Sequence, residues 1–150
     1  MSSLSLGALS LSIVLLAVAI AFRAAGAEPG TPPAGAAGAK DRLAVVWSSA
    51  DPDVAHQVCL MYAHAAGKHK WFDEVRLVVW GPSAKLLAED DEIQKKVKAM
   101  MADGIRVEAC VVCARNLKSD KALADLGVDI RPMGKPLSEY LKDDWKVLTY

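Results

Sequence analysis

Two cysteines spaced by two valines, Cys110-Val111-Val112-Cys113, are the residues of this chain best suited to chemistry. They stand where the expected third strand, residues 105–109, hands over to a helical pattern over residues 111–118. A thiol at such a handover meets unsatisfied N–H groups and the positive end of a helix. Both favour the thiolate, which is the nucleophile. The i, i+3 spacing brings the second sulfur within reach, so the pair can carry a disulfide or resolve a persulfide. The same residues also read as two small buried hydrophobes, or as a static disulfide formed outside the cytoplasm. Cys59 stands alone in the first helix and is expected to be half-buried and uninvolved, although an unpaired thiol in an exported chain calls for a test of dimerisation.

The remaining candidates are weaker. A C-x-x-C after a strand can signal a thioredoxin-like fold, but here it follows the third strand and has no Gly-Pro between the cysteines. His56 and His64 fall on the first helix away from its expected core stripe, and His69 follows in a loop, so solvated histidines and no metal site are expected. Ser48 and Ser49 lack a His-Asp arrangement that would suggest a hydrolase. Gly81-Pro82-Ser83 is a turn into a helix rather than a phosphate loop, and no cofactor is implied. Trp47, Trp71 and Trp145 read as packing residues. Trp80, at a strand's carboxyl end, could wall a pocket or a subunit contact.

Alternating elements must position these groups. Residues 43–47 form a continuous apolar run, as expected of a strand covered on both faces. Asp51-Pro52 opens a helix, with the aspartate as cap, and Val54, Val58, Met61 and Ala65 supply its expected buried stripe before Gly67 ends it. Residues 75–80 repeat the strand pattern. One helix is expected next, with Ile93, Val97, Met100 and Met101 inward and its lysines solvated. After the third strand come helices over 111–118 and 121–126, a strand over 128–130, a helix over 136–142 and a closing strand over 145–150. Strands alternating with helices imply a three-layer α/β/α fold around a mostly parallel sheet of about five strands. In such sheets ligands and reactive groups gather at the strands' carboxyl edge. That edge should hold Ser48, Ser49, Trp80, Gly81, Cys110, and Met133 with Gly134.

Charge and leader bound the function class. Lys and Arg number 18 against 18 Asp and Glu, with no basic excess of the kind a nucleic-acid binder shows. Residues 4–22 are uncharged and apolar or small, and Arg23 and Ala25-Gly26-Ala27 follow. This is a signal peptide over 1–27, or an uncleaved anchor that would be the chain's one link to a membrane. Either puts the domain outside the cytoplasm. The Gly-, Pro- and Ala-rich segment 28–40 reads as a flexible linker, and the folded domain as 41–150.

Four stretches, taken together, resemble the DsrE/DsrF-like family of sulfur-handling proteins, which includes the TusD-type relay subunits. They are Trp47-Ser48-Ser49, Val78-Val79-Trp80-Gly81-Pro82-Ser83-Ala84-Lys85-Leu86-Leu87, Gly104-Ile105-Arg106-Val107-Glu108-Ala109-Cys110, and Trp145-Lys146-Val147-Leu148-Thr149-Tyr150. The resemblance implies a three-layer fold and a homo-oligomer, whether dimer, trimer or hexamer. It also implies a strand-end cysteine that accepts sulfane sulfur as a persulfide from a donor protein and passes it to an acceptor. Cys110 stands at that position, and Cys113 lies outside the family's basic motif. The expectation is an exported sulfur carrier acting through Cys110 and Cys113. The alternative is a non-catalytic oligomeric module with a structural Cys110–Cys113 disulfide.

Overall fold

Five short runs each form a strand, and all five join one parallel sheet. The computed structural model describes residues 40–150. The strands are β1 (Arg42–Trp47), β2 (Glu74–Val79), β3 (Arg106–Cys110), β4 (Asp129–Arg131) and β5 (Trp145–Thr149), in the order β4-β3-β2-β1-β5. The expected signal peptide over 1–27, and all of the linker but its last residue, lie outside the described residues. Among the described residues no helix is long and apolar enough to cross a membrane.

Asp51 caps the first helix as its sequence suggests. Its Oδ1 accepts from the N–H groups of Asp53 at 2.8 Å and Val54 at 3.2 Å, and Pro52 takes the first helical position. After α1 (Pro52–Val54) the chain makes a π-helical turn over Ala55–Cys59 before α2 (Leu60–Lys68). The buried face is the one opposite the expected stripe. Ala55, Cys59, Leu60, Ala63, Ala66 and Gly67 are buried, while Val58 and Met61 are 41% and 54% exposed. Small residues on this face let the helix approach the sheet closely. Gly67 lies within α2 rather than ending it, and a Cβ there would meet Ile105 Cγ1 at 2.6 Å.

The single helix expected after β2 is two helices, α3 (Ser83–Glu89) and α4 (Asp91–Ala102). Asp90 between them is extended, and its carboxylate accepts from Ile93 N–H at 2.9 Å. Asp at an N-cap competes with helix continuation because its side chain satisfies a free N–H. Ile93, Val97 and Met100 turn inward as expected, and Met101 is half-buried. The last helices are α5 (Val111–Asn116), α6 (Asp120–Asp125) and α7 (Gly134–Lys142).

Right-handed crossovers place α1 to α6 on one face, because β1, β2, β3 and β4 are neighbours in that order. The larger core lies there: Leu43, Val45, Trp47, Leu77, Val79 and Val107 pack against Leu60, Leu87, Ile93 and Leu123. The chain then crosses back past β1 to form β5, and that reversed connection puts α7 alone on the opposite face. Its core is smaller, with Ala44, Val46, Val78, Cys110 and Trp145 against Met133 and Tyr140.

Candidate functional site

The reversal has a consequence for the cysteines. The connection leaving β3 enters α5 on the six-helix face, whereas the one leaving β4 enters α7 on the other. A crevice opens outside the carboxyl ends of two adjacent parallel strands when their connections diverge in this way. Cys110 is the last residue of β3, and Arg131, its register partner, is the last residue of β4. The dithiol therefore sits at the sheet's topological switch point.

Cys110 is the N-cap residue of α5, in extended conformation. Its thiol belongs to the α7-side cluster with Val46, Val78 and Met133 and is only 6% exposed. It lies at the carboxyl edge as expected, but is roofed. Cys113, one helical turn on, is half-buried and packs against the same cluster, as do Trp80 and Leu137. The two free thiols are neighbours in this cluster. Loss of solvent, then the nearby Cys110 thiol, raises the Cys113 pKa above its ordinary value, and the Gly81 backbone partly opposes them. Gly81 turns the chain there at a φ of +66°, which is open to glycine. All three cysteines are free thiols.

The fold thus gathers Trp80, Gly81, Met133, Cys110 and Cys113 at one place. Ser48 and Ser49 are at the same edge but are held by the chain terminus. Ser48 Oγ donates to the Tyr150 carbonyl at 2.8 Å, and both serine N–H groups donate to that oxygen too. Ser49 Oγ accepts from Asp51 N–H at 3.0 Å. His64 is not solvated as expected: its side chain is 12% exposed and its Nε2 lies 2.6 Å from Asp103 Oδ2. His56 is half-buried, and His69 stacks on Trp71. Cys59 is fully buried rather than half-buried, because it lies on the same small-residue face as Ala55 and Ala63. Desolvation pushes its pKa up to about 12.

One group was missed in the sequence. Glu108, two residues before Cys110 on the same face of β3, is wholly buried beneath α7. Tyr140 O–H donates to its Oε2 at 2.6 Å, and Arg76 Nη1 and Arg131 Nη2 both donate to its Oε1, the former at 3.3 Å. Arg76 also donates to the Tyr140 oxygen at 2.6 Å and to Glu74 at 2.8 Å. Burial works against the Arg76 charge, but the bonds with Tyr140 and Glu74 outweigh it and raise its pKa. For Tyr140, burial first and the Glu108 bond second raise the phenol's pKa. A glutamate inside an otherwise apolar strand was the available signal, because carboxylates are almost never buried unpaired.

The fold and site define a parallel α/β protein with a dithiol at its switch point. Residues 41–150 match the model of the DsrE/DsrF-like family, so the chain belongs to that family, which is generally tied to sulfur relay. Among solved structures it is similar to the conserved protein of unknown function BT1422 from Bacteroides thetaiotaomicron, at 34% identity and a TM-score of 0.71, over 73% of this chain and 95% of that one. It also shares its fold with the ychN protein from E. coli, at 18% identity and a TM-score of 0.55, over 75% and 100% of the two chains. No curated protein matches its sequence.

Proposed function

We propose that the chain is a sulfur carrier acting outside the cytoplasm, with Cys110 as acceptor and Cys113 as its partner thiol. The observation that carries this reading is the pair of free, neighbouring thiols at the switch point, in a chain of this family. In the forward step the Cys110 sulfur attacks the outer sulfur of a hydropersulfide, R–S–SH. The S–S bond breaks, R–S⁻ leaves and takes up the proton lost by Cys110, and Cys110–S–SH results with no net oxidation. An acceptor thiolate then removes the outer sulfur in the same way. With no acceptor present, Cys113 thiolate attacks the inner sulfur, releasing HS⁻ and forming a Cys110–Cys113 disulfide that an external dithiol must reduce.

Reduced protein incubated with polysulfide should gain about 32 Da per sulfur, which alkylation traps and reductant removes. Cys110→Ser should abolish the gain, and Cys113→Ser should retain it and lengthen its lifetime. Labelling of Cys110→Ser equal to wild type sinks the reading. A pair found as a disulfide that resists mild reductants would favour the assembly-module reading instead. The uncharged run over 4–22 and Ala25-Gly26-Ala27 support export. Cleavage after Ala27 predicts a mature chain starting at Glu28, which intact mass of exported protein checks. The one-helix cover of the second sheet face supports a homo-oligomer, which sedimentation would measure.

A further inference from the structure

The sulfur-carrier reading leaves the kind of donor open, and the charges on the α7 side of the sheet bear on it. Register divides this face into levels, each two residues or roughly 7 Å along the strands. Val46, Val78, Glu108 and Asp129 share one level, and Arg76 and Arg106 lie on the level below. Cys110 and Arg131 lie on the level above, at the mouth. Arg131 is thus the one strand cation level with the thiol, and its guanidinium turns back to Glu108 and Tyr140 below. Arg76, two levels down, is held by Glu74, Glu108 and Tyr140.

What surrounds the thiols is apolar. Val46, Val78 and Met133 are buried against Cys110, and half-exposed Trp80 and Leu137 pack on the same cluster. Val112, next to Cys113 in the chain, is 59% exposed. The cations of the adjoining helices are turned away or paired. Arg115, two residues after Cys113, points about 200° around α5 from it. Lys135 of α7 lies 3.8 Å from Glu139.

We propose that this site takes sulfur from a hydropersulfide whose tail is uncharged and apolar, and discriminates against donors with an anionic tail, with Glu108 as the specificity determinant. Glu108 bridges Arg76 and Arg131, which Glu74 and Asp129 also pair, so the arginines under the thiols are neutralised, and it draws Arg131 down from the mouth. An anionic donor therefore loses water at an apolar opening and gains no counter-charge. A neutral donor loses little and packs against Trp80 and Leu137.

The test uses the full-length reduced protein and two matched donors, the hydropersulfide of N-acetylcysteine, which carries a carboxylate, and that of its neutral methyl ester. Each rate of gain at Cys110 is divided by that of a small reference thiol. The neutral donor should lead by about tenfold, the effect of one partly screened unit charge near a protein surface. Glu108→Gln, which keeps the shape and removes the charge, should shrink the lead; Arg131→Met should not. Equal or faster transfer from the carboxylate donor overturns the proposal, as does a lead that Glu108→Gln leaves unchanged while the fold, checked by circular dichroism, is intact. If Glu108→Gln does not fold, loss of the lead in Arg131→Met overturns it. A second arm separates this idea from the carrier reading. Cys110 should prefer iodoacetamide over iodoacetate more strongly than the reference thiol does, whether or not it accepts sulfur. No transfer from either donor sinks the carrier reading and the donor proposal together, and an iodoacetamide preference alone then shows that the apolar, charge-neutralised mouth is real.

Discussion

Cys59 and Cys110 are both buried, but only one lies next to an opening. Cys59 is wholly inside the larger core, and its pKa is pushed up to about 12. In the folded protein it should stay unlabelled by a thiol reagent that reacts with the other two, giving two equivalents before denaturation and three after. Its titration also links to stability. The folded pKa lies above the unfolded value, so the folded state keeps a proton that the unfolded state loses. Its contribution is intact below about pH 9 and is lost as pH rises towards 12. Cys59→Ala should remove that part of the alkaline loss in urea titrations. Glu108 is the costlier residue to change. Glu108→Ala would leave two arginines and a phenol without their shared acceptor, a loss of about 3–5 kcal/mol by the usual cost of breaking a buried ion pair, read as a shift in the urea midpoint.

At the scale of elements, two places show local chemistry deciding geometry. Asp90 splits what periodicity presents as one helix, and Asp90→Ala should cost about 1 kcal/mol, the usual value of an N-cap. The close approach of α2 to the sheet rests on Gly67. A methyl group there would press on Ile105 at 2.6–2.7 Å. Gly67→Ala should therefore destabilise by about 1–3 kcal/mol through overpacking, despite alanine's better helix propensity. Ile105→Val in the same chain should recover part of the loss, and additive losses in the double variant would show that the two side chains do not meet. Asp103 closes α4 and accepts from His64 of α2, which holds its carboxyl below the ordinary range. A carboxylate with a lowered folded pKa contributes above its unfolded pKa and loses that contribution as pH falls. His64→Ala should therefore soften the acid limb of the stability profile.

Across the whole molecule, one sheet serves both cores, so neither face can unfold alone without exposing the other side of the same strands. Trp47 reports the six-helix face and Trp145 the α7 face. Their fluorescence, separated by single Trp→Phe variants, should lose native signal at the same urea concentration as far-UV dichroism. Two separated midpoints would mean that α7 and its cluster open independently. The chain's order of strands and helices was legible at this scale because continuous apolar runs and helical periodicity are local signals. β1 through β5 lie within one or two residues of the positions read from sequence. The α2 stripe was not legible, because the helix turns its small residues, Ala55, Cys59, Ala63, Ala66 and Gly67, to the sheet rather than the larger Val58 and Met61.

Composition and local pattern alone determined that the chain folds as alternating strands and helices, that Asp51 and Pro52 start the first helix, and that Cys110 ends a strand with Cys113 one turn beyond. Those facts follow from neighbours within a few residues. Tertiary structure decided the order β4-β3-β2-β1-β5, and with it that Cys110 lies where connections diverge. It also decided that Glu108 meets Arg76, Arg131 and Tyr140 from three other elements, at separations of 32, 23 and 32 residues. Strand order and buried charge pairing are set by which distant surfaces bury one another, and no short window of sequence carries that information.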